Sequence, residues 1–256
     1  MVDVDRAIDR MTEFLGDALV TTGADGYVVG VSGGLDSAVC ATLAVEAVGN
    51  DAVTGMILPG APSEDSNMAD ARELAADLGI TCREVSIAPA VETFRQESPH
   101  EVGPRDAGNV RARTRMVFLY LEANVNGLLV LGPSNKSEIL LGYFTKYGDG
   151  AADLRPMADL YKTEVRQVAR ALDLDETFVR KAPTAGLWEG QTDEGELGAA
   201  YETIDTVLKS LVEADESIEA AAERAGVGVE QAERFRRMME DSEHKRTQPA
   251  APELPR

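Results

Sequence analysis

Between Tyr27 and Val39 the chain reads YVVGVSGGLDSAV, an apolar run that stops at a glycine pair and hands over to Asp and Ser. Gly33 and Gly34 have no Cβ, so the backbone there can turn sharply and approach a ligand closely. If a strand precedes them and a helix follows, the N–H groups at Gly33 and Gly34 and the first N–H groups of the helix point at one place. The helix dipole adds positive charge. With the hydroxyls of Ser32 and Ser37, this is an anion cradle suited to phosphate. Asp36 is the odd member, because a carboxylate repels phosphate. It makes sense if Mg2+ lies between them, since magnesium takes one or two carboxylates plus phosphate oxygens. A second acid, Glu138, follows the apolar run LVLG in LVLGPSNKSE. It would share the rim with Asp36 if that run is a neighbouring strand. It reads equally as a first-turn acid complementing a helix dipole, and spacing alone does not separate the two.

The elements that must position these residues follow from periodicity. Helical spacing marks Asp3 to Thr22, Ser37 to Val48, Glu64 to Leu78, Val110 to Asn124, Leu160 to Leu172, Leu197 to Leu211, Glu216 to Ala225 and Glu230 to Glu243. Strands are expected at Tyr27 to Ser32, Val53 to Leu58, Thr81 to Ile87 and Leu128 to Leu131. Strands alternating with helices predict an α/β fold, a doubly wound parallel sheet with flanking helices and a helical C-terminal part. Ligands of such sheets bind beyond the carboxyl ends of the strands. SPHEVGPRDAG (98–108) and KAPTAGLWEGQTDEGE (181–196) read as long loops. One domain over 1–246 and a frayed proline-rich tail over 247–256 are expected.

Composition bounds the milieu. There are 45 acids against 25 bases, a net charge of −20, spread over the helices. Such a field argues against nucleic acid and anionic lipid. With only six lysines, it fits a protein adapted to high salt, where the Debye length falls to about 3 Å at 1 M. No apolar stretch is long enough to span a bilayer, and the acidic N-terminus is unlike a signal peptide. A cytoplasmic protein is expected, with Cys40 and Cys82 as reduced core thiols.

The loop is neither GxxxxGK[ST] nor GxGxxG. It matches SGGxDS, the pyrophosphate-binding loop of the N-type ATP pyrophosphatases. That alone leaves several amidating and thiolating enzymes open, and a non-catalytic ATP-binding module as well. The remainder narrows it. LVLGPSNKSEILLGYFTKYGDGAADLRPMADLYKTEV (129–165), GNVRARTRMVFLY (108–120), KAPTAGLWEGQTDEGELG (181–198) and EHKR (243–246) resemble the NAD synthetases, over a span from about Asp3 to Arg246. The resemblance implies an adenine nucleotide alpha hydrolase-like fold. It also implies a ligase that uses ATP to adenylate the nicotinate carboxylate of deamido-NAD, then amidates it with ammonia to give NAD, AMP and pyrophosphate.

The resemblance further implies residue roles. Gly30 to Ser37, Lys162 and Thr184 would contact ATP. Asp36 and Glu138 would hold Mg2+, and Asp36, Glu138 and Lys162 would be the catalytic set. Arg113, Lys146, Asp153, His244 and Lys245 would bind deamido-NAD. Asp149 and Asp153 are both candidates to take the proton from ammonium. The family's usual Thr after LVLG is Pro133 here, which has no hydroxyl and no N–H; Ser134 stands one position on. His100 receives no role. Family members are homodimers, and α-helical faces at Asp3 to Thr22 and Val110 to Asn124 have apolar surface to pair. Only about one helix precedes the SGGLDS loop, and neither cysteine sits as an exposed nucleophile, so ammonia rather than glutamine is the expected donor.

Overall fold

The computed structural model describes residues 2–60, 65–184, 186, 190–252 and 254. The expected helix start at Glu64, part of LWEGQTDE and part of the tail lie outside the described residues.

In chain order the elements are α1 (Val4–Thr22), β1 (Gly26–Gly30), α2 (Leu35–Val48), β2 (Val53–Ile57), α3 (Asp65–Asp77), β3 (Thr81–Glu84), α4 (Ala88–Glu97), α5 (Pro104–Asn126), β4 (Leu128–Leu131), α6 (Lys136–Leu141), α7 (Lys162–Ala171), α8 (Glu176–Arg180), α9 (Asp193–Leu197), α10 (Tyr201–Val212), α11 (Ile218–Ala225), α12 (Val229–Asp241) and α13 (Glu243–Arg246). The four strands pair in the order β3-β2-β1-β4, every pair parallel.

Side-chain alternation along the strands explains the two covered faces. Tyr27, Val29 and Val31 join the core built with α1, α2, α3 and α7, whereas Val28 joins the core under α4 and α5. Leu131 and Val130 of β4 divide the same way. A strand buried on both faces needs a continuous apolar run, and LLVL supplies it. A third core, built from α10, α11 and α12 with Leu141 and Tyr161, forms the C-terminal helical layer.

After β1 the chain winds outward to β2 and β3, then returns to place β4 on the other side of β1. The order reverses between β1 and β4, which opens a crevice at their carboxyl ends. SGGLDS leaves β1 into it and PSNKSE leaves β4 into it.

Several expectations need correction. The loop expected over 98–108 ends early, because Pro104 starts α5; proline's fixed φ suits a first turn, where its missing N–H costs nothing. Helix α4 was not expected; it too carries Pro in its first turn. The helix expected from Leu197 to Leu211 is two, α9 and α10, separated at Gly198, whose φ of 79° ends α9 in the left-handed region. The second expected loop yields α9 at its end, N-capped by the Thr192 hydroxyl. Cys40 is buried, but Cys82 is exposed, because β3 is an edge strand whose residues face solvent.

Candidate active site

The glycine loop is shaped before any ligand enters. Gly33 has a φ of 76°, and a Cβ there would run into the Asn67 carbonyl oxygen. Only glycine fits at that position. The Ser37 hydroxyl donates to the Gly34 carbonyl at 2.9 Å and accepts from the Ser32 N–H at 3.2 Å. The Ser32 hydroxyl lies 3.0 Å from it and accepts from the Gly34 N–H at 3.3 Å. Ser37 is buried and spent on holding the loop, while Ser32 is exposed. Val31 and Leu35 are buried beneath the loop, and the Val31 N–H donates to the Met56 carbonyl. The Lys181 ammonium donates to the Gly33 carbonyl at 2.8 Å and pairs with Asp70 of α3.

Asp36, Glu138 and Lys162 meet in space. They stand in the first turns of α2, α6 and α7, so three helix N-termini converge on one point. The Lys162 ammonium, its side chain 3% exposed, bonds to Asp36 and lies 3.2 Å from Glu138. Asn135 is fully buried as the N-cap of α6. Its oxygen accepts from the Glu138 N–H at 3.1 Å, and its amide donates to Asp36 at 2.9 Å. Burial pushes the Glu138 carboxyl up to about 8, with Lys162 opposing the shift and Asp36 and Asp193 adding to it. Burial alone would lower the Lys162 ammonium; Asp36 and Glu138 overcome this and raise it.

Three carboxylates, Asp36, Glu138 and the buried Asp193, thus act on one ammonium. That excess of hard oxygen donors suits a divalent cation. Among the described residues no group of three or more His, Cys, Asp or Glu sits as a metal cage. The ion the site suits is one completed by substrate oxygens, which is magnesium's habit with phosphates.

A second cluster lies where α5 meets 142–150 and α13. Arg113 donates to the Lys146 carbonyl at 3.3 Å, and the Lys146 ammonium donates to the His244 carbonyl. Lys245 donates to the carbonyls of Gly142 and Phe144 at 2.7 and 2.9 Å, and burial lowers its pKa. Asp149 accepts from the Thr145 N–H at 3.0 Å, which opposes the desolvation that raises its pKa. The Asp153 carboxylate is engaged with other groups, accepting from the Val130 N–H at 2.7 Å and the Tyr120 hydroxyl at 3.3 Å. Arg115 turns to another place, donating to the Leu58 carbonyl at 3.1 Å.

Thr184 is engaged in its own turn, donating to the Gln191 carbonyl at 2.7 Å and accepting from the Gly186 N–H. Ser134, beside Pro133, is buried. His100 is exposed and meets Ser98 through backbone groups.

A family model for NAD synthase matches residues 7–249. The chain belongs to the NAD synthase family. It is 44% identical over 253 residues to the ammonia-dependent NAD synthetase of Thermococcus kodakarensis, covering 99% of each chain. It is 45% identical over 245 residues to that of Halobacterium salinarum, covering 95% of this chain and 91% of the relative. A solved structure of the NMN synthetase of Francisella tularensis superposes with a TM-score of 0.88 at 35% identity, over 99% of this chain and 100% of that one.

For an NAD synthase the sequence reading passed over three residues. Asn135 and Lys181 lie inside quoted motifs, yet only the folded chain shows the amide on Asp36 and the ammonium on the loop. Asp193 sits in QTDE, and the signal available was an acid at the start of a short helix. What marks it is burial and the Tyr201 hydroxyl 3.3 Å away.

Proposed function

We propose that this crevice performs both half-reactions of ammonia-dependent NAD synthesis. The chain is an enzyme, a ligase that forms a carbon–nitrogen bond. A carboxylate is a poor acceptor for ammonia because its leaving group would be oxide, so it must first be activated. The nicotinate carboxylate of deamido-NAD attacks the α-phosphorus of ATP, the bond to the β-phosphate breaks, and pyrophosphate departs. Ammonia then attacks the acyl carbon and AMP leaves. No side-chain nucleophile is needed; catalysis is positioning and charge neutralisation.

The observation that supports this most is the Lys162 ammonium held between Asp36 and Glu138 beneath the glycine loop. The N–H groups of Val31, Ser32 and Gly34 hold the loop itself; the positive end of α2 cradles the departing pyrophosphate, and Lys162 neutralises charge on the phosphates. Asp36 and Glu138 are the residues that would hold Mg2+, which when bound supplies further charge neutralisation at the phosphate oxygens. Arg113, Lys146, His244 and Lys245 form the cationic wall for the dinucleotide. Asp149 and Asp153 are both candidates to take the proton from ammonium: desolvation raises the Asp149 pKa, and both Asp153 oxygens already accept hydrogen bonds.

The working unit is a homodimer. Val117, Leu121 and Val125 are exposed and four residues apart, an apolar stripe on α5 that a second copy would cover. On α1, Met11 and Leu15 are buried, while Phe14 and Val20 are exposed without forming a comparable stripe. No helix among the described residues is long and apolar enough to cross a membrane, which accords with a cytoplasmic enzyme.

The test is a reaction in high KCl with ATP, Mg2+, ammonium or glutamine, and either deamido-NAD or nicotinate mononucleotide. NAD and AMP in equal amounts with ammonium and deamido-NAD are expected. ADP, or turnover with the mononucleotide alone, would overturn the reading.

A further inference from the structure

Lys162 reaches its two carboxylates only if the first turn of α7 is fixed. The N–H groups of that turn have no partners within the helix. Those of Glu164 and Val165 are served by the Tyr161 carbonyl. Those of Lys162 and Thr163 are served from outside: Lys162 N–H donates to the Ser137 hydroxyl at 3.0 Å, and Thr163 N–H donates to Asp205 Oδ2 at 2.8 Å. Ser137 in turn donates its proton to Asp205 Oδ1. Ser137 is fully buried and Asp205 is 2% exposed.

We propose that Ser137 and Asp205 are positioning residues for Lys162, and that through them the C-terminal helical layer sets the geometry of the phosphate site. Asp205 comes from α10, whose neighbours Ile204 and Leu208 are core residues of that layer. Ser137 precedes Glu138 on α6. One buried carboxylate therefore ties α10 to the starts of both α6 and α7, and so fixes where the Lys162 ammonium stands against Glu138. A hydroxyl alone would cap one helix. A carboxylate has two oxygens to span both, and the positive end of α7 favours its charge. Burying a charge is costly unless hydrogen bonds satisfy it, and here the Ser137 hydroxyl and the Thr163 N–H take one oxygen each.

This inference rests on the reading of Lys162 as the cation that meets the ATP phosphates. The test is steady-state kinetics with thermal unfolding on Ser137→Ala, Asp205→Asn, Lys162→Ala and, as a control in the same helical layer, Phe235→Leu. Positioning predicts a kcat at least tenfold lower in both Ser137→Ala and Asp205→Asn, with KM for deamido-NAD within twofold. Phe235→Leu, although its Tm falls, keeps kcat within twofold. If Asp205→Asn does not fold, Ser137→Ala carries the test alone. Lys162→Ala inactive with Ser137→Ala at wild-type kcat would overturn the positioning role and leave the site reading intact. Phe235→Leu losing as much kcat as the other two would reduce the network to general stability. Lys162→Ala fully active would overturn the site reading itself.

Discussion

The Asn135 amide donates to the Asp36 carboxylate at 2.9 Å, joining the loop after β4 to the loop after β1 across 99 residues. The same side chain caps α6 through the Glu138 N–H. One buried amide therefore orients one acid and anchors the helix that carries the other. Asn135→Ala removes a cap worth about 1 kcal/mol and leaves a half-buried carboxylate oxygen short of a donor, about 1–3 kcal/mol more. Urea unfolding should show a loss of that order. Titration of activity with Mg2+ should shift to higher concentration; an unchanged magnesium requirement would sever Asn135 from Asp36's function.

Gly33 should tolerate no side chain. Its φ of 76° costs any L-residue about 1–2 kcal/mol, and the Asn67 carbonyl blocks a Cβ besides. Gly33→Ala is expected to lose ATP binding by calorimetry while Gly34→Ala, whose nearest neighbour would be the Ser32 hydroxyl at 3.4 Å, loses less. Equal affinity in the two variants would mean that the loop does not approach the phosphates at Gly33.

The two cysteines should behave differently. Burial, with Asp36 nearby, pushes the Cys40 thiol up to about 12. Cys82 is exposed on β3, and partial desolvation and Glu84 raise its pKa. A thiol reagent should modify one cysteine per native chain, at a rate that climbs as pH rises into the thiolate range, and the second only after unfolding. Mapping by mass spectrometry should place the first label on Cys82.

These cases also show how much was legible in advance. The parallel sheet was implied by alternating elements, and Asp36, Glu138 and Lys162 were expected to act together on the phosphates, but the order of the strands was not legible. Local signals carried this: two glycines, apolar runs of strand length, and acids at helix starts. The missing parts depended on context. Pro104 was read as part of a loop because a proline at N1 and a proline that ends a helix look alike until the helix is built. Cys82 resembled a core thiol because a sequence does not say which strand stands at the edge. Asn135, Asp193 and Asp205 earned their places through partners far away in the chain, and no spacing rule reaches that distance.

The apolar stripe of α5 gives a test of assembly. Leu121→Glu places a charge in the middle of Val117, Leu121 and Val125. If a second copy covers this stripe, sedimentation velocity should report a dimer for the wild type and a monomer for the variant. An unchanged dimer would move the interface to another face.

The central claim is that the nicotinate carboxylate attacks the α-phosphorus of ATP, and isotope transfer tests it most directly. Deamido-NAD labelled with 18O in its carboxylate would be turned over with ATP and ammonium, and the AMP weighed by mass spectrometry. Adenylation predicts one 18O in each AMP, because the carboxylate oxygen stays on phosphorus when ammonia displaces AMP. Unlabelled AMP, with the isotope in phosphate or pyrophosphate, would contradict the account.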